Sequence, residues 1–445
     1  MNSSINNLLM QLDKIPGGES RSPRNAISYL LCAGVLVILF LGTVCSLAQD
    51  NPAGSVVKVE KTDRGWRLVR NGQPYYIKGA GGDSHFDVLA ACGGNSTRTW
   101  GMGQDTASIL DDAQKNGLTV TVGFWMGHKE HGFKYEDDAA VKKQLEEARA
   151  GVVKYRQHPA VLMWGVGNEA EGDGKDTNFW NAVEGIAAMM HKEDPNHPTI
   201  IVLAEIGEDK LKKIDQLCPD IDVVGINSYA GMASLPERMR KQGISKPFVI
   251  TEFGPRGDWE VAKTAWDSPI EASSAEKAAM YLNNFKSVIQ ANPDQCLGSY
   301  AFYWAGRKKP DDTWYGMLLY TGERLAAAET MSFLWTGKWP ANRCPVIGSV
   351  ATTPKADKPV APETVLEASA KATDPDGDKL EYRWTLVGEP MRKSPVVTGN
   401  PIEGDGPAVK VRMPAEAGAY RLYLYVLDGK GNAAMASIPL CVKAN

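Results

Sequence analysis

Strand-like apolar runs alternate with helical patterns from residue 75 to residue 336, and this alternation constrains the fold more than any other feature of the chain. Nearly continuous apolar strands are typical of parallel sheets that helices cover. The predicted strands are 75–79, 96–100, 118–124, 161–167, 199–203, 223–226, 248–252 and 298–304. The helical patterns are 106–116, 139–155, 177–192, 209–217, 235–242, 273–291 and 324–336. Eight strands in one series favour an α/β fold of the closed (β/α)8 TIM barrel type over an open doubly wound sheet.

The composition changes after residue 340, which predicts a second domain. Prolines punctuate a linker-like stretch at positions 345, 354, 359 and 362. Beyond it, the runs 380–386, 408–413 and 419–427 alternate between apolar and polar residues as half-buried strands do. We therefore predict a TIM barrel over residues 55–340, entered by a β-hairpin with its turn at Asn71-Gly72, and an all-β, immunoglobulin-like sandwich over residues 345–445.

Two segments of the predicted sandwich resemble those of bacterial immunoglobulin-like, PKD and cadherin-type modules. They are Ala-Thr-Asp-Pro-Asp-Gly-Asp at 372–378 and Leu-Tyr-Val-Leu-Asp-Gly-Lys-Gly at 424–431. In such modules the acidic turn sometimes holds calcium, and Asp374, Asp376 and Asp378 offer hard oxygen ligands of the kind that calcium takes. A turn of this sequence also forms without metal, so no metal site is predicted.

An almost uncharged apolar run covers residues 26–48. Arg21 and Arg24 precede it, and Ser46-Leu47-Ala48 forms a small-residue site at its end, as in a secretory signal peptide. The 23 residues of the run are also enough to span a bilayer, so residues 1–48 form either a cleaved signal peptide or a signal anchor. Both alternatives predict an exported protein: periplasmic, at the cell surface or secreted.

Charge and cysteine content exclude several classes of partner. The chain has 49 basic and 53 acidic residues, a net charge of −4 and no cationic block that would neutralise a phosphate backbone, so a nucleic acid partner is not predicted. Two of the seven cysteines lie in the apolar run, and the other five are scattered without a Cys-x-x-Cys spacing. That pattern predicts neither a disulfide framework nor a cysteine zinc site.

Two of the predicted strands end in a glutamate. The strand 161–167 leads into Asn168-Glu169, and the strand 248–252 ends at Glu252, 83 residues after Glu169. The carboxyl ends of barrel strands meet on one face, so the two carboxyl groups are expected to be neighbours. Glycoside hydrolysis requires such a pair, because one carboxyl group protonates the departing sugar oxygen while the other attacks or stabilises the anomeric carbon.

Other strand ends place polar and aromatic residues on the same face. They are Arg98 and Trp100, Trp125 and His128, Asn227 and Tyr229, and Trp304 and Arg307. A guanidinium and a phenol near Glu252 would keep it ionised, whereas a drier setting would keep Glu169 protonated. Carboxyl groups about 5 to 5.5 Å apart would imply retention of anomeric configuration, and about 6.5 to 9.5 Å would imply inversion.

These residues resemble glycoside hydrolase clan A, and most of all the catalytic barrel of family two, the β-galactosidase and β-glucuronidase group. The matching segments are 71–79, 95–99, His158-Pro159 to Glu169, and Thr251-Glu252-Phe253-Gly254, within residues 65–336. The resemblance implies that Glu169 is the acid/base and Glu252 the nucleophile. It also implies that Asn168 binds the sugar 2-hydroxyl, that Arg98 and Tyr229 support Glu252, and that Trp304 forms the floor of the subsite.

Two other motifs fit their context poorly. Gly165 to Ala170 matches G-x-G-x-x-A, the dinucleotide fingerprint, but it lies inside the eightfold repeat, and the next strand reaches Glu205 well beyond the expected acidic position. No cofactor is therefore predicted. His128 and His131 would clamp a metal only if helical, and a loop that lines a substrate cleft is the preferred interpretation.

The predicted function is retaining hydrolysis of a β-linked oligo- or polysaccharide by double displacement, with β-glucan as the preferred substrate. An open cleft lined by Trp100, Trp125, Trp259 and Trp314 would suit a polymer. One alternative is a transglycosidase that uses the same site. The other is a non-catalytic surface glycan-binding protein, which would not need both glutamates.

Overall fold

The computed structural model describes residues 54–305, 313–390 and 393–443. It begins with a three-stranded antiparallel sheet of β1 (Val57–Thr62), β2 (Gly65–Arg70) and β3 (Gln73–Tyr75). Asn71 and Gly72 join β2 to β3 with φ angles of 50° and 77°, the positive values that a two-residue hairpin turn requires. Within the described ranges no helix is long and apolar enough to cross a membrane, and the predicted signal run 26–48 lies outside them.

Eight parallel strands close into a barrel, which confirms the predicted fold class. They are β4 (Ile77–Gly81), β5 (Ser96–Arg98), β6 (Thr119–Phe124), β7 (Val161–Val166), β8 (Thr199–Ala204), β9 (Val223–Asn227), β10 (Phe248–Glu252) and β11 (Cys296–Ala301). One helix follows each strand: α1 (Phe86–Ala91), α2 (Thr106–Lys115), α3 (Asp138–Tyr155), α4 (Thr177–Glu193), α5 (Lys210–Leu217), α6 (Leu235–Gln242), α7 (Ser274–Asn284) and α8 (Ala326–Thr336). Pairing of β11 with β4 closes the ring.

Helix α7 starts where local sequence predicts a helix start. Ser273 accepts from the backbone N–H of Glu276, and the Glu276 carboxylate accepts from the Ser273 N–H, so the two form a capping box. The α-helical part ends at Asn284, earlier than in the predicted range 273–291. A π-helical turn at Phe285–Ile289 continues the helix over most of the rest of that range. This helix packs against α8 and against the C-terminal part of the chain.

Two apolar layers hold the barrel together. The larger lies between the strands and the helices, and the second contains strand residues such as Ile200, Val249 and Tyr300 together with Val57 and Leu68 of the first sheet. The Tyr300 hydroxyl lies 2.9 Å from Ser96 Oγ and 2.6 Å from Thr121 Oγ1, on strands that do not pair with its own. Tyr300 therefore crosses the barrel interior, which is a packed core.

The C-terminal region forms two antiparallel sheets, consistent with the predicted sandwich. Its strands are β12 (Val346–Thr353), β13 (Val365–Thr373), β14 (Glu381–Gly388), β15 (Ile402–Glu403), β16 (Ala408–Arg412), β17 (Gly418–Leu427) and β18 (Ala433–Val442). Apolar residues of both sheets share one cluster, including Leu366, Leu386 and Leu422. The predicted linker is wrong at 346–353, because Pro345 and Pro354 flank a strand without interrupting its hydrogen bonds.

Candidate active site

Strand ends on one face of the barrel bring the two glutamates and most of the predicted polar residues together. Glu252 is the last residue of β10, and Arg98 is the last residue of β5, three strands away around the ring. Arg98 is 2% exposed and reaches across the interior to Glu252, with 3.1 Å between Nη1 and Oε1. Its other contacts are the Thr251 carbonyl oxygen and the Asn168 side chain.

Hydrogen-bond donors surround the Glu252 carboxyl group. Trp100 Nε1 donates to Oε1 over 2.7 Å, and the Tyr229 hydroxyl donates to Oε2 over 2.7 Å. Burial is the largest effect that raises the pKa of Tyr229 well above its ordinary value, and the charge of Glu252 raises it further. The phenol therefore stays protonated and donates a hydrogen bond to Glu252. With Arg98, three donors face a carboxyl group that is 8% exposed, an arrangement complementary to its charged form.

Glu169 has a different environment on the neighbouring side of the site. It lies in the loop after β7 with a φ of 54°, a conformation that non-glycine residues seldom adopt. Burial is the largest effect that raises the pKa of Glu169, and the charge of Glu252 raises it further. Asn227 Nδ2 donates to its Oε1 over 2.7 Å and partly opposes that rise. The protonated form of Glu169 is therefore favoured more than in a solvated glutamate.

Two asparagines connect the environments of the two carboxyl groups. The amide oxygen of Asn168 accepts from Arg98 and, over 3.3 Å, from Asn227 Nδ2. The amide oxygen of Asn227 accepts from Thr251 Oγ1 over 2.7 Å. Because Arg98 contacts Glu252 and Asn227 contacts Glu169, one hydrogen-bonded chain links both glutamates through neutral amides.

Four aromatic rings pack beside Glu252, and we call them the aromatic wall: Trp100, Tyr229, Phe302 and Tyr315. The sequence analysis does not predict Phe302 and Tyr315 as site residues. The Phe302 ring lies edge-on to Trp100 and to Tyr229, with centroids 5.8 and 6.0 Å apart. Tyr315 contacts Phe302 at 5.2 Å and Tyr229 at 5.7 Å. Phe302 was part of a predicted strand, but Tyr315 lies in a stretch where no element was predicted, so sequence periodicity offered no signal for it.

Trp125 and His128 follow β6 at the face formed by the carboxyl ends of the strands, which we call the barrel mouth. The Trp125 indole is 47% exposed and stacks on His128 with centroids 4.8 Å apart, and His128 stacks in turn on His131 at 5.3 Å. Burial, and then the nearby His131, lower the pKa of His128, so its ring is neutral at pH 7. His128 Nε2 is buried and makes no hydrogen bond among the described residues.

Trp304 differs from the prediction that it forms the floor of the site. It is 0% exposed, its Nε1 donates to the His85 carbonyl oxygen, and its ring contacts Trp335. The reason is that β11 ends at Ala301, so the in-and-out alternation of a strand no longer applies at position 304. Trp314, predicted in the cleft, is also buried, whereas Trp259 is 66% exposed; Arg307 lies outside the described residues.

One group of carboxylates in the described ranges has a spacing that a metal ion could use. Oxygens of Asp374, Asp378 and Asp428 lie within 4.8 Å of one another, in the sandwich and away from the glutamate pair. Protein donors already approach them: Asp376 N donates to Asp374, Lys430 Nζ to Asp378, and Asn432 to Asp428. Asp376, weighed as a ligand from the sequence, is not in this group and accepts from Arg343 N.

Comparison with known proteins shows which barrels this one resembles. The model of the glycosyl hydrolases family 2 TIM barrel domain matches residues 106–295, which include Glu169, Asn227 and Glu252. No curated protein sequence matches the chain.

Solved structures with a similar fold include two β-glucuronidases and a family 2 β-galacturonidase. The β-glucuronidase of Dictyoglomus thermophilum has a TM-score of 0.51 at 20% identity and matches 64% of this chain and 54% of its own. A family 2 β-galacturonidase from Eisenbergiella tayi has a TM-score of 0.50 at 16% identity, with coverage of 64% and 54%. The β-glucuronidase of Bifidobacterium dentium has a TM-score of 0.50 at 20% identity, with coverage of 63% and 49%.

The chain thus spans about half the length of the solved structures that it matches. At these identities the likeness establishes the fold of the barrel. Together with the family match, it confirms the resemblance inferred from the glutamate segments: the barrel of this chain is similar to the TIM barrel domain of glycosyl hydrolases family 2, with the family match confined to residues 106–295.

Proposed function

We propose that the protein is a retaining β-glycosidase, in which Glu252 is the nucleophile and Glu169 the acid/base. The observation that carries the proposal is the contrast between the two carboxyl groups. Three donors face Glu252, whereas burial and the charge of Glu252 raise the pKa of Glu169. Two neighbouring carboxyl groups with opposed environments are what acid and nucleophile roles require.

The first step forms a glycosyl-enzyme. A Glu252 oxygen attacks the anomeric carbon, the bond from that carbon to the leaving oxygen breaks, and Glu169 gives its proton to that oxygen. In the second step Glu169, now a carboxylate, takes a proton from water as the water oxygen attacks the anomeric carbon. The ester bond to Glu252 breaks, and both residues return to their starting forms.

Neighbouring residues support these steps. Arg98 and Tyr229 orient the Glu252 carboxylate before attack. The Asn168 oxygen is used by Arg98 and Asn227, so a sugar 2-hydroxyl would meet the NH2 group of its amide. Phe302 and Trp100 replace Trp304 as the aromatic surface next to the nucleophile.

Exposed tryptophans support a substrate longer than one sugar. Trp259 is 66% exposed and contacts the edge of Tyr229 with centroids 6.5 Å apart, and Trp125 is 47% exposed on the β6 side. Each offers a face on which a sugar ring can stack. We propose a β-linked oligo- or polysaccharide substrate, with β-glucan preferred.

We also propose that the apolar run 26–48 directs export of the protein, either as a secreted or as a membrane-anchored protein.

A β-uronide is the second candidate substrate. The solved structures named above are glucuronidases and a galacturonidase. In the sequence, Arg307, Lys308 and Lys309 follow β11 closely, and a uronic acid carboxylate would require cationic groups.

The test is hydrolysis of β-linked glucans, galactosides, mannosides and uronides, and of their aryl glycosides, with product anomers followed by NMR. The initial product should retain the β configuration. Glu252→Ala should abolish turnover, and added azide should restore it on aryl glycosides and give the α-glycosyl azide. Glu169→Ala should instead give a β-glycosyl azide, because azide then attacks the glycosyl-enzyme.

Other outcomes separate the alternatives. An initial α product from a β substrate would overturn retention. New glycosidic bonds formed in preference to hydrolysis at low acceptor concentration would favour the transglycosidase. Binding of a glycan without turnover on any of these substrates would contradict the enzymatic proposal and favour a glycan-binding protein.

A further inference from the structure

Four buried charged side chains lie where the C-terminal sheets meet the barrel. They are Glu271 and Lys277 from the barrel, and Glu389 and Arg421 from the sandwich, and each side chain is at most 5% exposed. The two positive and two negative groups balance. We call these four residues the buried quartet.

On the sandwich side, Arg421 of β17 makes the central contacts. Its Nε and Nη2 donate to the two carboxylate oxygens of Glu389 over 3.1 and 3.0 Å, a two-pronged geometry. Nη2 also donates over 2.7 Å to the carbonyl oxygen of Pro269, in the loop after β10 that carries Trp259. The Arg421 guanidinium thus joins the sandwich sheet β14-β17-β18 to a loop of the barrel mouth.

A serine hydroxyl carries the connection into the barrel. Ser437 Oγ of β18 accepts from Arg421 Nη1 over 3.0 Å and donates to Glu271 Oε2 over 3.0 Å. The other oxygen of Glu271 accepts from Lys277 Nζ over 2.6 Å and from Thr313 Oγ1 over 3.0 Å. Lys277 also donates to the Thr313 carbonyl oxygen.

Thr313 begins the segment 313–325, which lies between the barrel mouth and the sandwich. Two residues further on, the Tyr315 ring contacts Phe302 and Tyr229, whose hydroxyl donates to Glu252. The Tyr315 carbonyl oxygen accepts from Tyr303 N over 3.0 Å. From the same face of α7 as Lys277, Tyr281 donates to the Phe302 carbonyl oxygen.

Apolar packing fixes the far end of the same segment. Leu319 and Leu325 share a buried cluster with Tyr423, Leu427 and Met435 of the sandwich sheet β14-β17-β18. The backbone of Arg324 also pairs with the β17–β18 turn, where its N–H donates to Gly431 and its carbonyl accepts from Ala433, over 2.9 and 2.8 Å. Segment 313–325 is therefore held directly by the sandwich at its far end, and at Thr313 it is linked to the sandwich through Glu271 and Ser437.

We propose that Arg421, although it lies on the sandwich, is a positioning residue for the active site, and that the sandwich braces the aromatic wall beside Glu252. The effect runs from Arg421 through Ser437 and Glu271 to Thr313, and then through Tyr315 to Phe302 and Tyr229. The sandwich is thus part of the catalytic unit and does not act only as a spacer or a separate binding module. The consequence for turnover rests on the proposed function.

The test uses the full chain with Arg421→Gln, Arg421→Lys and the control Arg383→Gln. Arg383 lies on β14 of the same sheet and pairs with Glu381 over 2.6 Å, but the two side chains are 53% and 59% exposed. At a temperature where each variant is folded, Arg421→Gln should lower kcat by about 10- to 100-fold with a smaller change in KM, since small misplacements near the chemistry have that effect. Arg421→Lys should recover part of the loss, and Arg383→Gln should match the wild type.

Hydrogen exchange supplies a readout that does not depend on turnover. In Arg421→Gln the amides of 299–304 and 313–325 should exchange faster, whereas in Arg383→Gln they should not. If Arg421→Gln does not fold, Ser437→Ala, which removes only the bridging hydroxyl, should show the same changes at smaller size. Folded variants with wild-type kcat and wild-type exchange in both segments would overturn the proposal.

The two proposals can fail separately. Absence of glycoside turnover by the wild type would contradict the proposed function. The exchange of 299–304 and 313–325 would still decide whether Arg421 braces the wall.

Discussion

The groups that face a carboxyl side chain set its chemistry in this site. Glu169 and Glu252 are the same residue type, one in the loop after β7 and the other at the end of β10 of the same barrel. Only Glu252 receives the guanidinium, the indole N–H and the phenol, and only Glu169 depends on a single amide donor. Two predictions follow from this difference, one for each carboxyl group.

Tyr229→Phe removes one donor to Glu252 and keeps the ring. We expect kcat to fall by about 10²- to 10³-fold, because the hydroxyl orients and stabilises the carboxylate that attacks and later leaves. Tyr315→Phe is the matched control, since Tyr315 belongs to the same wall and only Tyr229 donates to Glu252 Oε2 among the described contacts. Steady-state kinetics on an aryl glycoside measures both, and equal losses would contradict the role of the Tyr229 hydroxyl.

Asn227→Ala removes the donor that lowers the pKa of Glu169. A general acid must be protonated, so kcat/KM falls as pH rises through its pKa, and a higher pKa moves that basic limb to higher pH. Asn168→Ala should lower the rate but leave the limb in place, because Asn227 still donates to Glu169 in that variant. A pH profile with an unmoved basic limb in Asn227→Ala would show that Glu169 does not set it.

Residue types in the right order do not by themselves make a site. Ser55 Oγ lies 2.9 Å from His197 Nε2, and His197 Nδ1 lies 2.7 Å from Asp194 Oδ2, the sequence of contacts found in serine hydrolases. All three are at most 3% exposed, and the Ser55 hydroxyl donates to the Val161 carbonyl oxygen. This chain of hydrogen bonds therefore ties the start of the described residues to the barrel.

At the scale of the element, the loop after β7 must hold Glu169 in a left-handed conformation. Glycines with positive φ, Gly167 and Gly174, bound this loop. Inside it, the buried carboxylate of Glu171 accepts from Lys210 Nζ over 2.6 Å and from Ala204 N over 2.9 Å. Lys210 is the first residue of α5, so one ion pair joins the loop of β7 to the next strand and helix.

Lys210→Met should lower the free energy of unfolding by about 3–5 kcal/mol, because it leaves the Glu171 carboxylate buried without its partner. Lys241→Met is the control, since Lys241 pairs with Glu237 on the surface of α6 with side chains 73% and 64% exposed. Solvent screens that exposed pair, so its loss should change the stability little. Chemical denaturation measures both, and equal small losses would show that the Glu171–Lys210 pair does not stabilise the loop.

At the scale of the whole molecule, the barrel and the sandwich form one compact unit across the described residues. Domain boundaries drawn from composition at 340 and 345 remain a prediction, and the contacts around the buried quartet cross them. A chain truncated after Pro340 would expose Leu319 and Leu325 and leave Glu271 without Ser437.

We therefore expect the truncated chain to aggregate or to lack a cooperative thermal transition, because exposed apolar clusters promote association. Size-exclusion chromatography and circular dichroism against the full chain measure this. A soluble monomer that unfolds cooperatively at the wild-type temperature would show that the sandwich is an independent module.

Much of the barrel was predictable because its information is local. Apolar strands and amphipathic helices repeat along the chain, and a parallel strand series with helical crossovers has few ways to close. The same locality placed Glu169 and Glu252 at strand ends, and Arg98, Trp100, Asn168, Asn227 and Tyr229 contact them or each other as that placement predicted.

Where the prediction failed, the deciding contact was distant in sequence. The amino-acid sequence by itself determined the strand and helix periods, the turn at Asn71-Gly72 and the pairing of two acids on one face. Only the tertiary structure decided that Trp304 is buried while Phe302 and Tyr315 line the site, and that Arg421 reaches the loops of the barrel mouth. The physical reason is that the burial and the hydrogen bonds of these residues depend on neighbours from other parts of the chain, such as His85 for Trp304 and Pro269 for Arg421, which no local period encodes.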